Sequence, residues 1–139
     1  MSTRSLICKE VGEDEFLAIY CHSDGYPEWT GKKLLDSYNT EEMVDKLLGL
    51  GDLSVLDDKL EPTKENHSFD TPESGVTVAY ARDRGEKKET RILSLKRLDS
   101  AWEEFWAEFV YVFTKDKEWK FFEPGKYKRT GLKNIADYI

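Results

Sequence analysis

Apolar residues first alternate along this chain and then switch to helical spacing, and that switch sets the expected elements. Ser2 to Val11 and Glu15 to Cys21 are β-rich runs separated by Gly12-Glu13-Asp14, a turn-forming stretch that predicts an antiparallel hairpin. In the second run Phe16, Ala18 and Tyr20 alternate with Leu17, Ile19 and Cys21, so both faces are apolar, as in a central strand covered on at least one side. Pro27 stands near a helix start, with Trp29, Leu34, Leu35 and Tyr38 following at helical spacing. Thr40 is placed to cap a second helix, in which Glu41 and Glu42 complement the dipole and Met43, Val44, Leu47 and Leu48 form one stripe. Gly49 and Gly51 end that helix, and the two helices are expected to pair antiparallel against the sheet.

From Gly51 to Gly75 the pattern dissolves into a long polar loop anchored by Leu53, Val55 and Leu56. Loops of that length inside a compact domain are functional or mobile. Val76, Val78 and Tyr80 alternate with Thr77, Ala79 and Ala81 in the clearest strand of the chain, which runs into Arg82-Asp83-Arg84-Gly85. Ile92, Leu93 and Leu95 predict a short strand, and Asp99 or Ser100 then caps a helix through Trp102, Phe105 and Trp106. Phe109 to Phe113 and Trp119 to Phe122, joined by Lys115-Asp116-Lys117, predict a second hairpin. Leu132, Ile135 and Ile139 trace the apolar side of a short C-terminal helix. The expected architecture is a single α+β domain over residues 1–139, with an antiparallel sheet of about five strands, two hairpins plus a central strand, packed against several short helices.

Composition agrees with a folded domain: 39% of the residues are hydrophobic and 13% aromatic, enough for a compact core. The 28 acidic and 21 basic residues are spread along the chain and leave a net charge of -7. Such a field repels phosphate backbones, which argues against direct nucleic-acid binding and leaves open a basic protein surface as partner. No apolar run approaches the roughly 20 residues that span a bilayer, so no membrane association is expected, and the N-terminus lacks a signal-peptide core. The expected compartment is cytoplasmic. Cys8 and Cys21 fall in adjacent predicted strands and are expected as reduced core or near-core residues. Cys21 and His22 point to opposite faces of a strand, and His67 is the only other histidine, so neither a metal nor another cofactor is expected.

Two polar segments carry the candidate chemistry. Tyr20 to Pro27 places Tyr20, His22, Asp24 and Tyr26 at a strand-to-helix junction, where backbone N–H groups leave the sheet and can meet an anion. His22 and Asp24 either cap a turn or work as an acid/base pair, although Ser23 lacks the flanking glycines of a nucleophile elbow. Tyr80 to Glu86 crowds Tyr80, Arg82, Asp83, Arg84 and Glu86 at a strand exit, where the guanidinium groups either pair internally or grip an anion. Lys126, Lys128, Arg129 and Lys133 form a basic cluster near the C-terminus, read as an exposed tail.

These segments resemble those of small proteins of no established activity encoded in phage and prophage genomes. The resemblance rests on the start Met1-Ser2-Thr3-Arg4-Ser5, YCHSDGYP at 20–27, Gly31, GDLS at 51–54 and GVTVAYARDRGE at 75–86, all within the first two-thirds of the chain. Ser23 departs from it, since members often carry tryptophan there, and Trp29 is the residue placed to fill similar space. The resemblance implies a bacterial host cell and a counter-defence setting. The expected function is then a non-catalytic interaction protein that binds and inhibits a host defence protein, such as an anti-CRISPR acting on a nucleic-acid-binding effector. Two alternatives stand beside it: a module for a small anionic ligand or nucleotide signal held between Arg82, Arg84 and the Tyr20–Pro27 junction, and an enzyme using His22 and Asp24.

Overall fold

The computed structural model describes residues 2–139. The first hairpin forms as the alternation requires: β1 (Arg4–Gly12) pairs antiparallel with β2 (Glu15–Cys21), and Asp14 takes the left-handed conformation in the turn. Pro27–Gly31 make a single π-helical turn that runs directly into α1 (Lys32–Ser37). In α2 (Glu41–Leu48), the Thr40 hydroxyl accepts from the Met43 amide at 3.3 Å, the expected cap.

The long loop contains one short strand, β3 (Leu53–Val55), and returns as β4 (Val78–Ala79). The strand expected over Val76 to Ala81 is therefore much shorter. Tyr80 instead opens a helical turn, α3 (Tyr80–Arg84), because the Asp83 carboxylate accepts from the Ala79 amide at 2.8 Å and Gly85, at φ +74°, ends the turn. The strand expected through Leu95 also stops early. β5 (Arg91–Leu93) gives way at Ser94, whose hydroxyl accepts from the Arg97 amide and caps α4 (Leu95–Asp99). After α5 (Ala101–Phe105) comes the second predicted hairpin, β6 (Ala107–Phe113) with β7 (Trp119–Phe122). No single C-terminal helix forms. Leu132 and Ile139 stay exposed while Ile135 alone is buried, and the segment divides into α6 (Tyr127–Thr130), β8 (Lys133–Asn134) and a 3₁₀ turn over Ile135–Tyr138.

The mixed α/β character stands, but the sheet differs from the expected one. The described residues form eight strands rather than about five, in the order β4-β3-β2-β1-β6-β7-β8, with β5 also pairing β2. Nor is the sheet purely antiparallel: β1 runs parallel to β6 and β2 parallel to β3. The reason is non-local. The two hairpins join through β1 and β6, which are separated in sequence by the entire helical and loop region, so their relative direction is set by the crossover.

The central strands are covered on both sides. Ile7, Ile19, Cys21, Leu53, Tyr111 and Phe121 face α1 and α2, while Leu6, Cys8, Phe16, Ala18, Val110 and Phe122 face Leu98 and Ala101 of α4 and α5. Cys8 and Cys21 are both buried but belong to opposite faces, which rules out the neighbouring pair that adjacent strands allowed. Burial pushes the Cys21 thiol up to about 12 and the Cys8 thiol higher still, so both stay protonated and unreactive.

Candidate functional site

Alternation on β1 and β2 decides what lines the site. Arg4 lies on the same face as Leu6 and Cys8, and Tyr20 and His22 follow Ala18 on that face, where α4 and α5 cover only part of the sheet. At the uncovered end is a cleft of about 480 Å³ lined by Arg4, Tyr20, His22, Asp52, Arg91, Glu104, Phe105 and Trp106.

Each charged group in the cleft has a definable state. Arg91 donates to both Asp52 carboxylate oxygens, at 3.0 and 2.8 Å, and its guanidinium lies 5.3 Å from the Phe105 ring centre. Glu104 is paired with Arg97. Arg4, by contrast, has no carboxylate partner among the described residues, and its guanidinium rests 5.6 Å from the Trp106 ring centre. The Tyr20 hydroxyl and His22 Nδ1 are 2.8 Å apart. Burial raises the Tyr20 phenol above its ordinary value, with Arg4 pulling the other way. Burial, and then the charge of Arg4, holds the His22 imidazole below its ordinary value. At neutral pH the pair is a phenol and a neutral imidazole.

Trp106 is the unusual wall. It closes α5 with φ +59°, a left-handed conformation normally given to glycine or asparagine, and the residue is 61% exposed. Trp102, 54% exposed, lies one helical turn back with its ring centre 6.4 Å away. Together they form an exposed indole pair, both more than half exposed, beside the cleft.

The two polar segments begin side by side and then part. Asp52 is their junction: its carboxylate accepts from the Tyr20 amide at 2.8 Å and its carbonyl from the Tyr80 amide at 3.2 Å. Beyond it, Tyr20 and His22 enter the cleft, whereas Asp24 and Tyr26 belong to the turn into the helical layer. Asp24 has φ +55°, its carbonyl accepts from the Thr30 hydroxyl at 2.7 Å, and its carboxylate faces the Tyr26 hydroxyl at 3.4 Å. The imidazole of His22 thus pairs with Tyr20, and the carboxylate of Asp24 with Tyr26.

The second segment is largely consumed by internal pairing. Arg82 donates to both oxygens of Asp83, at 2.8 and 3.0 Å, to the Thr77 carbonyl at 2.7 Å and to the Leu60 carbonyl. Asp83 also faces His67, whose side chain is buried with Nε2 3.2 Å from Oδ2, while the Glu73 amide donates to Nδ1 at 2.9 Å. Burial pushes the Asp83 carboxyl up, but Arg82, the Ala79 amide and His67 outweigh it and leave it below its ordinary value. Arg84 pairs with Glu86 and lies over the rings of Phe69 and Tyr80, at 4.4 and 4.8 Å, which themselves stack. These residues staple the long loop to the end of the sheet.

Compared with known proteins, the chain matches no family model, no curated protein and no solved structure. Among the described residues no three His, Cys, Asp or Glu side chains gather as a metal site, and no helix is long and apolar enough to cross a membrane. The basic C-terminal cluster is partly tied down, since Lys126 and Lys133 both pair with Glu123, at 3.1 Å each. Sequence reasoning found Tyr20 and His22 but missed Arg4, Asp52, Arg91, Phe105 and Trp106. Arg4 was signalled by its even spacing from Leu6 and Cys8, and Asp52 by its place within GDLS; Arg91 and Trp106 reach the cleft only through tertiary packing.

Proposed function

We propose that this chain is a non-catalytic interaction protein whose contact surface is the Trp102–Trp106 pair together with Arg4. The observation that carries it is the exposure of two adjacent indoles beside a guanidinium that has no carboxylate partner among the described residues. Tryptophan and arginine are the side chains that most often dominate binding energy at protein interfaces, and Trp106 holds a left-handed backbone while leaving most of its surface in solvent. The surrounding Glu103, Glu104 and Glu108 are exposed, which suits a partner with a basic rim.

Read with the resemblance to phage proteins, the partner is a host protein, and inhibition of a nucleic-acid-binding defence effector, in the manner of an anti-CRISPR, fits the net charge of -7. Capture of a stoichiometric complex from lysate of a defence-proficient bacterial host tests this. A Trp102→Ala/Trp106→Ala variant should weaken capture at least tenfold while remaining folded. Recovery of nothing, or capture undiminished by the double substitution, rejects the reading.

A second reading, a module for a small anionic ligand, is favoured by a separate observation: Arg4 faces an open cleft without a carboxylate partner among the described residues. A ligand held between Arg82, Arg84 and the Tyr20–Pro27 junction is less favoured, because both guanidinium groups are engaged, Arg82 with Asp83 and two carbonyls and Arg84 with Glu86. The enzyme reading is the weakest, since His22 and Asp24 have separate partners.

A further inference from the structure

The ligand-module reading can be taken further, and the inference rests on it. Three features converge on one end of the sheet. The cleft, at about 480 Å³, lies within the range of small-molecule sites. Its two carboxylates are already neutralised, Asp52 by a bidentate Arg91 and Glu104 by Arg97, so the charge left over is that of Arg4. Its outer wall is aromatic: Trp106 and Phe105 present ring faces or edges to the same space that Arg4, Tyr20 and His22 line. Arg4 already uses the face of Trp106 as a cation would, which leaves its guanidinium fork directed by an aromatic plane.

We infer that this cleft is a binding site for a planar heteroaromatic ring carrying a single phosphate, a nucleoside monophosphate in kind, with Arg4 holding the phosphate, the His22 imidazole offering a further polar contact, and Trp106 stacking the ring. A guanidinium fork matches phosphate geometry, and an exposed indole stacks any base. One phosphate matches one uncompensated arginine, whereas a polyanion meets the field of a chain with net charge -7. The strained backbone of Trp106 gives independent support. Tryptophan stands here in a left-handed position where glycine or asparagine is usual at a helix end, and Trp106 lines the cleft instead of joining the core.

Titration of the purified chain with AMP, GMP and UMP, followed by tryptophan fluorescence and thermal shift, tests the inference directly. Adenosine, inorganic phosphate and indole-3-carboxylate serve as parallel probes. A mononucleotide should quench fluorescence and raise Tm, adenosine or phosphate alone should bind at least tenfold more weakly, and Arg4→Ala should weaken the mononucleotide about tenfold or more. Trp106→Gly relieves the left-handed backbone, so the variant should fold at least as stably while losing the stacking and a comparable share of affinity. Arg84→Ala, outside the cleft, should leave binding unchanged. Mononucleotide binding that survives both Arg4→Ala and Trp106→Gly overturns the inference. If phosphate or indole-3-carboxylate binds through Arg4 and no mononucleotide does, the ligand class is wrong and the anion-module reading survives. If none of the probes binds at millimolar concentration, both fall.

Discussion

His22 sits beside a phenol and a guanidinium, and the two act on it differently. The Tyr20 hydroxyl fixes the ring through a 2.8 Å contact, while burial and the Arg4 charge both disfavour the protonated form. The imidazole should titrate below 6.5 in the native protein, and Arg4→Ala should move the midpoint upward because a repelling cation is gone. The imidazole proton resonances report this directly by NMR across pH 4 to 8, and an unchanged midpoint in Arg4→Ala would place Arg4 away from the ring. Cys21, Ser23 and Asp24, its sequence neighbours, give no hint of this pairing. Tyr20 does, because residues two apart on a strand share a face.

At the scale of elements, close approach is what several local features serve. Gly31 ends the π-helical turn where a Cβ would come within 2.8 Å of Ile135 Cγ2 and 3.4 Å of Tyr111 Cε1. That turn therefore seats against the C-terminal 3₁₀ turn only because position 31 lacks a side chain. Gly31→Ala should destabilise the protein by about 1–2 kcal/mol, read as a lower urea midpoint with an unchanged slope. Combining it with Ile135→Ala should cost less than the sum of the two single changes, since the methyl that clashes is then absent. Additive effects would mean that the two turns are not in contact. Elements with local causes were legible: the Thr40 cap, the stripe of α2 and both hairpins follow from residues within a few positions of one another. Elements decided by competition between local signals were not. α3 replaces the end of a predicted strand because the Asp83 carboxylate captures the Ala79 amide, and periodicity is blind to that competition.

For the molecule as a whole, the long loop is held by a charged staple rather than by a core of its own. Arg82, Asp83 and His67 bind the segment through side chains, Phe69 donates to the Asp83 carbonyl at 3.0 Å, and Glu73 closes the loop on the Thr63 and Lys64 amides. Asp83→Asn should cost about 2 kcal/mol at pH 7, less than the ~3–5 kcal/mol of a fully buried broken pair because Arg82 keeps part of its surface in water. The folded Asp83 carboxyl lies below its unfolded value of 3.8, so its contribution is present in full above that pH and disappears as pH falls through the lower native value. The gap between wild type and Asp83→Asn in urea denaturation should accordingly be wide at pH 7 and shrink as the pH falls below 3.8. A gap of constant width would assign the loss to packing rather than charge.

The amino-acid sequence by itself determined the local order of this protein. Alternation and helical spacing, with caps and turn residues between them, are properties of neighbours and can be read along the chain. It also determined that Tyr20 to Pro27 and Tyr80 to Glu86 would lie at strand ends. Only the tertiary structure decided that the two hairpins join in parallel through β1 and β6, and that Asp52 ties the two polar segments together before they part. It alone decided that Arg82 is spent internally while Arg4 is left facing Trp106 across an open cleft. The physical reason lies in which groups the fold brings to each arginine: Arg82 meets its neighbour Asp83 and the distant Leu60 carbonyl, Arg91 reaches Asp52 from 39 positions away, and Arg4 meets no carboxylate among the described residues.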